Sequence, residues 1–190
     1  MRHTGDLREQ LRHCLQGRTC LIALGNTDYS DDGFGVRLGE ELLKAGMPDV
    51  ILAGATPDRC IGSVAEKAFD RILFLDAVEF EGAPGSVVLL NAKEMSARYP
   101  QVSTHKISVG VLARWVESSS RTNVWLLGVQ PESMKSGQHL TPTVNATLEL
   151  LRDLLLTLKP STGHVGADAH VRPADGSSTV RTREDSEVTA

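Results

Sequence analysis

The chain reads as a single α/β domain, with a five-stranded, mainly parallel sheet sandwiched between helices. Two observations predict this. Five short, continuous apolar runs have the character of strands covered on both faces. Amphipathic segments of helical period separate them, and that alternation favours a parallel sheet between two helical layers. The length of 190 residues, with 41% hydrophobic and 23% charged positions, suits one domain with a substantial core. Only 4% of residues are aromatic, so the core must be aliphatic.

Taken in order, Leu7, Leu11 and Leu15 recur at i, i+4 spacing and predict a short docked helix within an extension covering residues 1–17. The folded domain is expected over 18–159. Its first strand is the run TCLIALG, from Thr19 to Gly25. Phe34, Leu38, Leu42 and Ala45 follow at helical spacing, with Gly46 as a suitable stop. Further strands are expected from Asp49 to Ala53, Arg71 to Ala77, Ser86 to Leu90 and Asn123 to Val129. Between the last two, Ile107, Val111 and Trp115 share a helical face, and Ser103 or Thr104 suits its cap. Thr141-Pro142 opens the last helix as cap and first-turn proline. Its apolar stripe is Val144, Leu148, Leu151, Leu155 and Leu158, and Pro160 ends it. Residues 160–190 contain no Leu, Ile, Met or aromatic residue, so a disordered polar tail is expected.

The formal net charge is -4 with no basic stripe, which argues against nucleic acid and anionic membrane as partners. No apolar run approaches the ~20 residues of a membrane helix, and the first residues lack the apolar stretch of a secretory signal. A cytoplasmic protein is expected. Cys14, Cys20 and Cys60 form no metal or redox spacing and read as small core or surface residues.

The stretch from Leu24 to Gly35 (LGNTDYSDDGFG) joins the first strand to the first domain helix, where open α/β sheets place ligands. Gly25, Gly33 and Gly35 lack dinucleotide-fingerprint spacing. Asp28, Ser30, Asp32 and Gly33 imitate the start of a calcium loop, but its twelfth position is Gly39, where a bidentate carboxylate is needed. Gly33 and Gly35 suggest close backbone approach or positive φ beside the site.

Two further candidates lie downstream. Asp76 ends the third apolar run; it fits either a turn or a buried acid that requires a partner. His105 precedes a helix, where it fits a capping or hydrogen-bonding role or a neutral metal-binding imidazole. His139 sits in a polar loop and is the weaker histidine. Asp32, Asp76 and His105 come from three strand-helix junctions, which share one edge in a parallel sheet. Two carboxylates and an imidazole there suit nickel or zinc with positions left open.

The order of these pieces resembles the hydrogenase maturation endopeptidases. Leu24-Gly-Asn-x-x-x-x-Asp-Asp-Gly-x-Gly-Val36 is similar to that family's opening motif. Phe-Leu-Asp-Ala at 74–77, Ser-Thr-His at 103–105 and Gly-Val-Gln-Pro at 128–131 follow in the family's order. The paired acids and Gly-Val-Gln-Pro are closest to the branch serving hydrogenases of the formate hydrogenlyase type. The resemblance covers about residues 19–158 and implies a twisted five-stranded sheet. It also implies an endopeptidase that trims the C-terminal extension of a nickel-iron hydrogenase large-subunit precursor already loaded with nickel. Asp32, Asp76 and His105 would be the catalytic, nickel-contacting residues. The nickel would come with the substrate, with no tightly bound metal of the enzyme's own. Asp31 would be a supporting or capping acid. No His-Glu-x-x-His helix or Gly-x-Ser-x-Gly elbow is present for ordinary zinc-protease or serine-hydrolase chemistry. The competing readings are a noncatalytic metal- or nucleotide-binding module and a precursor chaperone.

Overall fold

A computed structural model describes residues 6–98 and 108–159, which lie within one compact unit, Met1–Pro160. Asp6 caps α1 (Leu7–Cys14) by accepting a bond from the Arg8 amide. The chain continues through β1 (Thr19–Leu24), a single 3-10 turn (Ser30–Gly33), α2 (Phe34–Lys44) and β2 (Val50–Gly54). Next come α3 (Asp58–Glu66), β3 (Arg71–Ala77), β4 (Val87–Asn91), α4 (Ala92–Arg98), α5 (Val109–Ser119), β5 (Asn123–Val129) and α6 (Pro142–Leu158). All five expected strands are present, and they form one sheet in the order β2-β1-β3-β5-β4.

Strand alternation divides the core between two helical layers. Leu21, Leu73, Leu75, Ala77, Leu127 and Val129 face α1, α2 and α6, where Leu11, Leu15, Phe34, Leu38, Leu42, Val144, Leu148, Leu151 and Leu155 are buried. Cys20, Ile22, Leu24, Ile72, Phe74, Val124 and Leu126 face α3, α4 and α5. Burying a Leu or Phe side chain contributes roughly 1.5–3 kcal/mol, so each layer is held mainly by its apolar stripe. The stripe on α2 ends at Leu42; Ala45 lies beyond the helix and is exposed, and Gly46 turns the chain with φ +74°.

The sheet is mainly parallel as expected, and three local features depart from or add to the sequence reading. β4 runs antiparallel to β5, with Val87 opposite Val129 and Asn91 opposite Trp125. Only residues 78–86 separate β3 from β4, too short a stretch for the usual helical crossover of a parallel pair. α5 takes Ser108 as its cap residue, and its buried positions are Val109, Gly110, Leu112, Ala113 and Val116. Val111 and Trp115 therefore face outward, because the inward face is set by contact with α3 and α4. Ser103, Thr104 and Ile107 lie outside the described residues. α4 was not anticipated, although Asn91 and Glu94 exchange cap bonds at its start: the Glu94 amide donates to Asn91 at 3.0 Å and the Asn91 amide to Glu94 at 3.1 Å.

Residues 160–190, where a polar tail is expected, lie outside the described residues. Among those described, no helix is long and apolar enough to cross a membrane.

Candidate functional site

The parallel strands bring the ends of β1, β3 and β5 to one edge of the sheet. After β1 the chain turns at Gly25, with φ +120°, so sharply that a Cβ there would lie 1.8 Å from the Asp32 carbonyl oxygen. Glycine is required because the backbone of Asp32 crosses directly over it. The Asn26 side chain then accepts a bond from the Asp28 amide at 3.0 Å, an Asx turn that folds the loop back. The Asn26 amide in turn donates to Asp32 Oδ2 at 2.9 Å. Asp32 is buried in the 3-10 turn, which rests against β3.

Gly35 carries the close approach expected in this motif. A Cβ there would meet the carbonyl oxygens of Leu75 at 2.1 Å and Leu24 at 2.4 Å, so the first turn of α2 sits on the strand backbones. Gly33 meets the expectation by close approach alone: its φ is -72°, and the backbone Cα of Thr27 would lie 3.0 Å from a Cβ there, a looser crossing than at Gly35. Ser30 instead holds a left-handed conformation at φ 43°, fixed by bonds from its amide to Gly137 O (2.7 Å) and from its hydroxyl to His139 O (3.0 Å).

Asp76, the penultimate residue of β3, is fully buried and lies opposite Gly128 of β5. Gln130, two residues further along, clamps the loop that follows Asp76. Its side-chain oxygen accepts bonds from the amides of Phe80 at 2.8 Å and Gly82 at 3.2 Å. The Gly-Val-Gln-Pro segment thus has a physical role that sequence reading left unassigned.

Asp31 points away from Asp32 in its bonding. It is fully buried and accepts from the amides of Glu132 (2.9 Å), Ser133 (2.9 Å) and Thr141 (2.7 Å), and from the Thr141 hydroxyl (3.0 Å). The Thr141 side chain serves Asp31 and makes no cap bond to α6. The supporting role expected for Asp31 is therefore directed at the 131–141 loop.

Asp32 and Asp76 share the carboxyl edge of the parallel strands. His105 lies outside the described residues. The expectation that it follows a parallel strand does not hold, because it belongs to the stretch between α4 and α5, downstream of antiparallel β4. Among the described residues no group of three His, Cys, Asp or Glu side chains is placed to hold a metal ion. His139 is exposed on the 131–141 loop and enters the site's bonding through its carbonyl. The cysteines are poor nucleophiles: burial pushes Cys14 and Cys20 up to about 12, and it also raises Cys60. What this edge offers chemically is buried carboxylate oxygens, that of Asp32 fixed by a backbone amide, suited to a cation or to activating water.

A family model described as hydrogenase maturation protease, HycI, matches residues 36–158, a range that includes Asp76 and His105 and begins just after the Asp32 loop. The Hydrogenase 2 maturation protease of Escherichia coli K12 is 30% identical over 153 residues, covering 76% of this chain and 92% of that protein. The Hydrogenase 3 maturation protease of the same organism is 25% identical over 131 residues, covering 68% and 83%. Among solved structures, the NiFe hydrogenase maturation protease HycI from Thermococcus kodakarensis KOD1 matches with a TM-score of 0.69 at 25% identity, covering 78% of this chain and 97% of that one. The hydrogenase maturating endopeptidase HybD from E. coli matches with a TM-score of 0.64 at 26% identity, covering 76% and 94%.

Proposed function

The chain belongs to the hydrogenase maturation protease family, a family of peptide-bond hydrolases, and we propose that it removes the C-terminal extension of a nickel-iron hydrogenase large-subunit precursor in the cytoplasm. The substrate's nickel is the recognition handle. Asp32, Asp76 and His105 complete its coordination and align the scissile peptide, and the enzyme holds no tight metal of its own. The observation that carries this reading is the pair Asp32 and Asp76, buried acids delivered from separate strand ends to one sheet edge. Carboxylate and imidazole donors with open positions suit nickel. Attack by water then draws on either a carboxylate base or polarisation by the substrate's metal.

Incubation with matched nickel-loaded and metal-free precursors, read by mass, tests the proposal. The nickel-loaded precursor is expected to shift to the mature mass and the metal-free one to stay intact, even with added zinc. Efficient cleavage of metal-free precursor overturns nickel recognition. Binding of the loaded precursor with no mass shift points instead to a chaperone.

A further inference from the structure

We propose that Asp31 is the positioning residue of this site: its buried carboxylate fixes the 131–141 loop and, through the 3-10 turn it shares with Asp32, the orientation of the Asp32 carboxylate. The inference rests on the proposed function for its kinetic consequence, but its structural content stands apart from it.

The 28–31 segment and the 131–141 loop are more than 100 positions apart in sequence, yet they are stitched residue by residue. The Asp31 amide donates to Ser133 O at 3.1 Å, the Ser30 amide to Gly137 O at 2.7 Å and the Gly137 amide to Asp28 O at 2.9 Å. The Arg37 guanidinium reaches Gln138 O. At the centre the Asp31 carboxylate takes four donors, one on Oδ1 and three on Oδ2. A fully buried carboxylate is costly unless its oxygens are met by donors, and here both are. The outer side of this assembly exposes Tyr29, Glu132, Lys135 and Gln138 at the rim of the site.

The arrangement needs a group that only accepts. Asparagine has the same shape, but its amide nitrogen would face either the Thr141 amide or the Glu132, Ser133 and Thr141 donors. Either orientation sets donor against donor. Asp32 follows directly in the same turn, and its Oδ2 is held by the Asn26 amide. Loosening the turn at Asp31 must therefore loosen the Asn26–Asp32 bond.

The test compares wild type, Asp31→Asn, Thr141→Val and Thr141→Ser in the full chain, by amide hydrogen exchange and by cleavage of the nickel-loaded precursor per folded molecule. In Asp31→Asn the amides of Glu132, Ser133, Thr141 and Asn26 are expected to exchange at least about tenfold faster than in wild type. Precursor kcat/KM is expected to fall at least about tenfold at a temperature where the variant is fully folded. Thr141→Val removes one donor of four and should show a smaller change in the same direction, which Thr141→Ser restores; this variant carries the test if Asp31→Asn fails to fold. Faster exchange at Glu132, Ser133 and Thr141 with Asn26 unchanged overturns the positioning role and leaves only a loop anchor. Wild-type kcat/KM per folded molecule in both Asp31→Asn and Thr141→Val also overturns it. If wild type leaves the precursor uncleaved, the proposed function fails, and exchange at Asn26 still decides the inference.

Discussion

At the carboxyl edge of its parallel strands the chain buries three acids, whereas at the opposite edge it fastens its loops with groups mostly left in water. Asp31, Asp32 and Asp76 are all buried; the first two accept from backbone amides, and Gly25 lets the Asp32 backbone cross closely over the end of β1. At the other edge Asp70 accepts from the Arg18 amide at 2.8 Å, Arg18 donates to Lys67 O at 2.8 Å, and the Thr122 hydroxyl donates to Phe69 O at 2.7 Å. The Arg18 guanidinium also lies 4.4 Å from the centre of the Phe69 ring. The Arg18 and Asp70 fasteners keep hydration and are individually cheap to lose, whereas the Thr122 bond is itself buried. Buried acids demand that several donors be in place at once, so they hold geometry as well as stability.

The largest expected effect would come from neutralising the buried acids. Asp32→Asn and Asp76→Asn should each reduce precursor processing by at least about 10³-fold, and the double variant should lose little more, because residues acting as one unit are non-additive. His105→Ala should match them, while His139→Ala should process like wild type. Retained activity in Asp76→Asn would break the contrast between the two edges. Next comes the loop crossing. Gly25→Ala places a Cβ 1.8 Å from Asp32 O at φ +120° and should cost on the order of 3 kcal/mol or more in denaturant unfolding. Gly46→Ala has open space and strains only its φ of +74°, so about 1 kcal/mol is expected.

At the opposite edge, Thr122→Val should cost about 1–3 kcal/mol by leaving the Phe69 carbonyl without its hydroxyl partner, with processing per folded molecule unchanged. A processing defect there would show that the edges are coupled. Cys14 and Cys20 give a pH test. Their thiols are raised by burial from 9.0 to about 12 in the folded protein, so folding holds them protonated. The stability this supplies is complete below pH 9 and is lost as pH rises from about 9 towards 12. Alkylation of native protein at pH 8 should accordingly be much slower at both than in urea-unfolded chain. The smallest effect is expected from removing residues 160–190, which should leave the thermal midpoint and processing unchanged. Loss of either would mean that the tail contributes to one of these surfaces.

The strand set was legible because five apolar runs are short, continuous and separated by helical patterns, and each occurs within a residue or two of its expected place. The motif from Leu24 to Gly35 was also legible: its glycines mark a crossing that no side chain can occupy. Two signals were available but unread. The short 78–86 connection implies an antiparallel return, and Asn91-x-x-Glu94 marks the start of α4.

Sequence by itself determined the five strands, the apolar stripes of α2 and α6 and the candidacy of Asp32 and Asp76, since these depend on spacing within one segment. Tertiary structure alone decided which face of α5 is buried, because Val111 and Leu112 are equally apolar and only the contacts with α3 and α4 choose between them. It also decided the division of labour between adjacent Asp31 and Asp32. Local pattern makes the two acids equivalent. Their partners, Thr141 for one and Asn26 for the other, are selected by where the folded chain returns, 110 residues away in the first case and 6 in the second.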